Sequence, residues 1–498
     1  MLNSYTNIDK EHVLNVNIRY DTKTELTPRI LEISTAFGLG VSDTKKFTIF
    51  KDFKIGFSTG DIMYITGDSG GGKTTLLKYI NAYLESEKDE SKPFLEDCAP
   101  NKEDVVVESL GDSVEQAIYY LSAMGLNDAF IFLRKFGELS DGQKYRYKLA
   151  KLLSTKPKFL FIDEFCANLD RTTAKVIAHN LQKVCRNNNI SLFVATTHED
   201  LIEDLNPSIL IRKNFMDNVT IDYIDYVKKK ISFYSDVVIE EGTLADYNRL
   251  SKYHYKNTSN RFPYKKIFRA RYGKEIVGVA VYSPPFLQTK GRSIYFDKKY
   301  SLMTKEVVAD INKLFIRRSR NIISPKYRGC GLGQKLALES MLSIKDAKYI
   351  EAINVMGRYN PVNEKIGMTK IEITEETDPP TIRLTNWIQE KGLKLDEIHN
   401  PTYWKDWLFG LSDEDKNTIK LMTGKVLHHP KLGLSGKDGR RAEVVAQEQR
   451  YIDAEFDDVK DEILIQIPKL FSGNTLYYVI ENPNYIPEDT NTLDKWTN

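Results

Sequence analysis

The strongest constraint in this sequence is an apolar run, DIMYIT, that ends in Gly67-Asp68-Ser69-Gly70-Gly71-Gly72-Lys73-Thr74. The octapeptide matches G-x-x-x-x-G-K-[ST] and opens onto the helical pattern TTLLKYI, so strand, tight loop and helix start follow one another. Glycines permit the main-chain angles that turn successive N–H groups inward, and such a concavity at a helix start receives phosphate oxygens. Lys73 is placed to reach the outer phosphates of a nucleotide. Thr74 and Thr75 open the helix, and the Thr74 hydroxyl suits Mg²⁺. The buried runs FLFID and SLFVATT, alternating with helical segments, predict a parallel α/β sheet around this loop.

Further along, the apolar strand Phe159–Ile162 ends in Asp163 and Glu164. An acid at that point suits Mg²⁺ coordination through water, and the next one suits polarisation of an attacking water. Between loop and strand lies Leu139-Ser140-Asp141-Gly142-Gln143, and after them come Asn168-Leu169-Asp170 and His198. In this order the set resembles the ABC-type ATPases: an LSGGQ signature with one aspartate substituted, a D-loop and a switch histidine. The resemblance implies ATP and Mg²⁺ as cofactors, with phosphates held by Gly67, Asp68, Ser69, Gly70, Gly71, Gly72, Lys73, Thr74 and Thr75. It implies Thr74 and Asp163 at the metal, and Glu164 and His198 as catalytic residues. Ser140, Gly142 and Gln143 of one copy would face nucleotide on another, so an ATP-dependent homodimer is expected. There are departures. No glutamine occurs between Lys73 and Gln116, which leaves the glutamine that couples transporter cassettes to membrane helices unassigned. Phe47 and Phe50 are the candidates for stacking on adenine, and either also suits a core.

The second half carries RNIISPKYRGCGLGQKLALESML, in which Arg328, Gly331 and Gly333 form R-x-x-G-x-G between a strand and a helix. Such a loop suits a pyrophosphate. With the preceding hairpin pattern IFRARYGKEIVGVAVYS and the later Tyr359-Asn360-Pro361-Val362-Asn363, it resembles the GNAT acetyltransferases. That resemblance implies acetyl-CoA or another acyl-CoA, its pyrophosphate cradled by Arg328, Gly329, Gly331 and Gly333. Asn363 stands where many members place a tyrosine acid, so the acid is unassigned; Tyr359 or a water are alternatives. His254, Tyr255, Tyr359 and Asn360 are the candidates for handling substrate. The pair His254-Tyr255 followed by VGVAVYSPP is also similar to Mom-type acyltransferases that modify DNA adenine.

At 498 residues, 41% hydrophobic and 11% aromatic, the chain has material for two or three cores. The expected fold is α/β: an ABC-ATPase P-loop domain over 1–215, a GNAT-like α+β acyltransferase domain over 216–385, and a mainly helical extension over 386–498. A net charge of +2 identifies no nucleic-acid binder; the basic stretches Lys228–Lys230 and Arg317–Arg320 are expected on solvated faces, with contact to an acidic surface as the alternative. Residues 86–104, charged and punctuated by proline, are expected as an exposed insertion. Four scattered cysteines fit a reducing, cytoplasmic compartment, and no run approaches the roughly 18 apolar residues of a membrane span. The leading expectation is an ATPase joined to an acyl-CoA-dependent N-acyltransferase acting on a macromolecular amine, a nucleic-acid base included. The alternatives are a nucleic-acid-associated or defence ATPase whose second half only binds a ligand, and a transporter ATPase subunit.

Overall fold

The computed structural model describes residues 10–23, 25–38, 44–86, 93–215, 218–253, 263–354, 357, 361–372, 379–395, 398, 401–427, 432, 441–471 and 476–487. The amino-terminal part opens with two long antiparallel strands, β1 (His12–Lys23) and β2 (Thr44–Phe57), paired from His12–Phe57 to Lys23–Thr44. A second layer contains β3 (Ile62–Gly67), β4 (Phe159–Ile162), β5 (Ser191–Ala195), β6 (Ile209–Lys213) and β7 (Val219–Tyr223), in the order β4-β5-β3-β6-β7. The first four are parallel and β7 returns antiparallel. Strands β4 and β5 are buried at every position, as continuous apolar runs in a sheet covered on both faces must be.

A second sheet holds β8 (Val237–Glu241), β9 (Lys266–Tyr272), β10 (Glu275–Ser283), β11 (Phe315–Ile323), β12 (Tyr349–Asn354), β13 (Thr369–Ile371) and β14 (Leu476–Glu481). Its order is β13-β14-β12-β11-β10-β9-β8, antiparallel except for the parallel pair β11–β12. That pair requires a crossover, and the helix Leu332–Leu342 supplies it. Pairing covers only Phe315–Tyr349 to Arg317–Glu351; beyond Arg317 the two strands part.

Two expected boundaries move. The first sheet continues past 215, because β7 pairs with β6. Residues 386–498 are not wholly a separate extension: after helices Pro401–Phe409, Asp413–Val426, Arg441–Asp453 and Phe456–Leu470, built on their own core around Trp404, Ile419 and Ile463, the chain returns β14 to the second sheet between β12 and β13. A strand whose partners lie far upstream leaves no local sign of where it pairs. The arginine stretch is not a solvated face either. Arg318 is 5% exposed, and the Arg317 guanidinium lies 3.8 Å over the Phe286 ring.

The two sheets meet along the helix Arg171–Asn187. Its Val176 belongs to the core formed by Phe233, Tyr327, Cys330 and Leu332 of the second half. The connecting segment is stitched to the first half as well: buried Asp204 accepts hydrogen bonds from the Ser232 N–H at 2.7 Å and hydroxyl at 2.9 Å. Among the described residues no helix is long and apolar enough to cross a membrane.

Candidate functional site

The loop after β3 is shaped by backbone that only glycine tolerates. Gly67 has φ +126°, and a Cβ there would lie 2.0 Å from the Lys213 carbonyl oxygen on β6. Lys73 begins the helix Lys73–Ser86 and turns back over the loop, its Nζ donating to the Gly67 carbonyl at 3.0 Å and the Asp68 carbonyl at 2.7 Å. Burial lowers its pKa, against the charges of Asp163 and Asp68. The Thr74 hydroxyl donates to Asp163 Oδ2 at 2.6 Å, joining the loop to the end of β4. Glu164 follows with φ +46°, a left-handed conformation uncommon outside glycine, and its N–H donates to Asp163 Oδ1 at 3.0 Å.

A left-handed glycine loop at a helix start, a lysine, and a hydroxyl hydrogen-bonded to a carboxylate make up the kind of donor set that a magnesium nucleotide requires, so the residues fit that group. Gly67 to Thr74 would hold the phosphates, and Thr74 with Asp163 would hold the metal. The bound metal would neutralise phosphate charge. The chain itself keeps Glu164 exposed at the mouth as the carboxylate able to orient water.

His198 stands just past β5, where the sequence places it. Its main chain is fixed by Tyr64 of β3, whose hydroxyl donates to the His198 carbonyl, and by its own N–H donating to Thr196 Oγ1 at 3.3 Å. Burial raises the Tyr64 pKa far above the usual phenol range, so this donor stays protonated. The segment is tied further by Asp200, which accepts from Arg171 Nε at 2.9 Å at the start of the helix Arg171–Asn187. Sequence reading missed Tyr64; its only signal is a tyrosine in an otherwise aliphatic buried strand.

Ser140 caps the helix Asp141–Ser154, and Gln143 Oε1 accepts the Ser140 N–H at 3.0 Å, a capping box. Ser140 and Asp141 are exposed, while Gly142 packs under Leu169 of the Asn168-Leu169-Asp170 turn. Asp170 caps the helix Arg171–Asn187 through the Thr173 N–H at 3.1 Å. Phe50 does not serve as an adenine platform: it is 1% exposed and stacked on Phe53 inside a core. The Phe47 side chain lies outside the described residues.

The segment expected as an exposed insertion holds a second residue that sequence reading missed. Pro93 to Leu95 run parallel to β4, with the Phe94 ring stacked on Phe161 at 5.0 Å and Leu95 in the core. The next residue, Glu96, accepts the Asp163 N–H at 3.2 Å. Desolvation raises its pKa, helped by the charges of Asp163 and Asp97. The alternation Phe94, Leu95, Glu96 was too short to register as a strand end.

The loop of the second half is built differently. Arg328 spends its donors on the protein: Nε on the Ile323 carbonyl at 2.8 Å, Nη1 on the Asn127 carbonyl and Oδ1 at 3.1 Å each, and Nη2 on the Tyr253 carbonyl at 3.3 Å. Asn127 belongs to the first half. Gly329, at φ +88°, faces Asn180 of the helix Arg171–Asn187, whose Nδ2 would lie 2.5 Å from a Cβ. Arg328 is therefore turned from the expected cradle to a seam between the halves, and Gly329 packs against that seam. Gly331, at φ +92°, and Gly333 stand at the start of the helix Leu332–Leu342. Asn363 is 5% exposed and accepts from Arg318, so it is neither open to substrate nor an acid. His254, Tyr255, Tyr359 and Asn360 lie outside the described residues.

Strand–loop–helix, paired carboxylates and capped signature in one α/β sheet define an ABC-type ATPase domain. In agreement, residues 50–167 match the family model described as ABC transporter. The leukotoxin translocation ATP-binding protein LktB of Mannheimia glucosida is 28% identical over 177 residues, covering 29% of this chain and 25% of that protein. The leukotoxin export ATP-binding protein LtxB of Aggregatibacter actinomycetemcomitans is 27% identical over 174 residues, covering 28% and 25%. The chain thus spans about a quarter of the length of these curated relatives. Among solved structures, the dimeric post-hydrolysis state of the ATP-binding cassette MJ0796 bound to ADP and Pi aligns at 16% identity over 42% of this chain and 97% of that one, with a TM-score of 0.31.

Proposed function

We propose that this chain hydrolyses ATP as a nucleotide-dependent homodimer and couples it to a GNAT-like second half that transfers an acyl group from acyl-CoA to a macromolecular amine. The observation that carries the ATPase reading is the direct link between Thr74 of the phosphate loop and Asp163 of β4, with Glu164 exposed beside them. Dimerisation is supported by the exposure of Ser140 and Asp141 at the capped signature, which leaves this helix start open to a nucleotide on a second copy. Replacing Glu164 by Gln is expected to lower phosphate release about 100-fold or more while leaving ATP binding in place. Undiminished release by Glu164→Gln would end the assignment.

The transferase reading is supported by the sheet order β8-β9-β10-β11-β12-β14-β13, by the parallel pair β11–β12, and by the parting of those strands beyond Arg317 beside the glycine start of the helix Leu332–Leu342. The fork so formed lies where a pantetheine arm would enter. A second reading, a half that binds acyl-CoA without transferring it, is favoured by the buried, arginine-held Asn363. Calorimetric titration with acetyl-CoA, followed by mass spectrometry of nucleic acids and proteins incubated with the chain, separates the readings. Binding with no new acyl mass selects the second, and no binding removes both.

A further inference from the structure

Both carboxylate oxygens and the N–H of Asp163 are engaged in the turn that follows β4. Its Oδ2 accepts from Thr74, its Oδ1 from the Glu164 N–H, and its own N–H is taken by Glu96 Oε1 at 3.2 Å. Only the third comes from outside the phosphate loop and the β4 turn. Glu96 is delivered there by pairing, not by chance proximity of a loop. The Leu95 N–H donates to the Phe161 carbonyl at 3.0 Å, and the Phe161 N–H donates to the Pro93 carbonyl at 3.1 Å. The chain therefore leaves this short pairing level with Asp163, and the anchored Phe94 and Leu95 side chains fix where the next side chain emerges.

A carboxylate oriented through its own main chain presents its oxygens in one direction, and partners that orient a metal ligand typically matter about 10- to 100-fold in metal affinity. We infer that Glu96 is a positioning residue of the ATP site: by holding the Asp163 N–H it sets the Asp163 carboxylate against Thr74 for the magnesium nucleotide. The inference rests on the nucleotide reading of the Gly67–Thr74 loop and adds a residue to it that lies outside the strand-and-loop pattern. Glu96 acts as a hydrogen-bond acceptor, so a glutamine, which keeps the oxygen, should replace it.

The test is the binding of a fluorescent ATP analogue to the full chain, titrated with Mg²⁺ and repeated in excess EDTA. Glu96→Ala should raise the Mg²⁺ concentration for half-saturation about 10-fold or more, Glu96→Gln should stay within about twofold of the parent, and both should bind the analogue in EDTA as the parent does. A parental Mg²⁺ requirement in Glu96→Ala overturns the inference, as does a Glu96→Gln variant impaired as much as Glu96→Ala. Loss of analogue binding in EDTA by Glu96→Ala also overturns it, because Glu96 would then support the whole loop. If the parent fails to bind the analogue under either condition, the nucleotide reading itself has failed.

Discussion

The molecule contains two glycine loops of the same local plan, each leaving a strand, passing through left-handed glycines and entering a helix. Their fates differ. Around Gly67 to Thr74, the polar groups converge on one another at the loop's mouth: Lys73 on the loop carbonyls, Thr74 on Asp163, and Glu164 left exposed. Around Arg328 to Gly333, the first half of the chain is laid against the loop, Asn127 taking the arginine and Asn180 filling the space beside Gly329. A glycine pattern specifies a backbone able to receive an anion. What lies opposite that backbone decides which of its groups stay open to a ligand and which are spent on a seam between domains.

This contrast can be broken experimentally. Lys73→Ala should weaken ATP binding by about 100-fold, since a charge-assisted contact to phosphate is removed, and equilibrium binding will show it. Arg328→Ala should instead cost about 2 kcal/mol of stability in urea denaturation, by stranding the Asn127 and Tyr253 acceptors, and leave ATP affinity unchanged. Unaltered stability with lost acyl-CoA binding would return Arg328 to the ligand side of the comparison.

The helix behind the seam offers a pH handle. Burial pushes the His179 imidazole down to about 4, helped by Lys183 and Lys230. The fold therefore keeps it neutral, and its contribution is complete above the ordinary histidine value of about 6.5 and is lost as pH falls toward 4. Between pH 7 and pH 5 the parent should lose about 2 kcal/mol that His179→Gln does not lose, measured as the pH dependence of unfolding. Smallest is the difference between two glycine replacements. Gly70→Ala meets open space and costs about 1 kcal/mol for its left-handed angle, while Gly329→Ala adds the collision with Asn180 and should cost about 1 kcal/mol more. Equal costs would mean that the seam yields at Gly329.

Much of the first site was legible because its parts are contiguous. Gly67 to Thr74, Asp163-Glu164 and the segment Leu139 to Gln143 each carry their chemistry within a few residues, and each keeps its local structure in the fold. Glu96 and Tyr64 were not legible. One follows a pairing of three residues with a strand far downstream, and the other acts through a hydroxyl on a main-chain carbonyl reached only across the sheet. Phe50 was ambiguous for the converse reason: an aromatic before the loop suits a base or a core equally, and packing against Phe53 chose the core.

The sequence by itself determined the strand–loop–helix grammar, the parallel first sheet, the β9–β10 hairpin and the helical character of the part of 386–498 that precedes β14, since each depends on near neighbours and on side-chain periodicity. Only the tertiary structure decided that β14 closes the second sheet, that Arg328 binds the first half, and that Asn363 is sealed beneath Arg318. Those outcomes depend on which distant surfaces meet. Hydrogen-bond donors and apolar faces are satisfied by whichever partner the whole fold brings to them, and no local pattern names that partner.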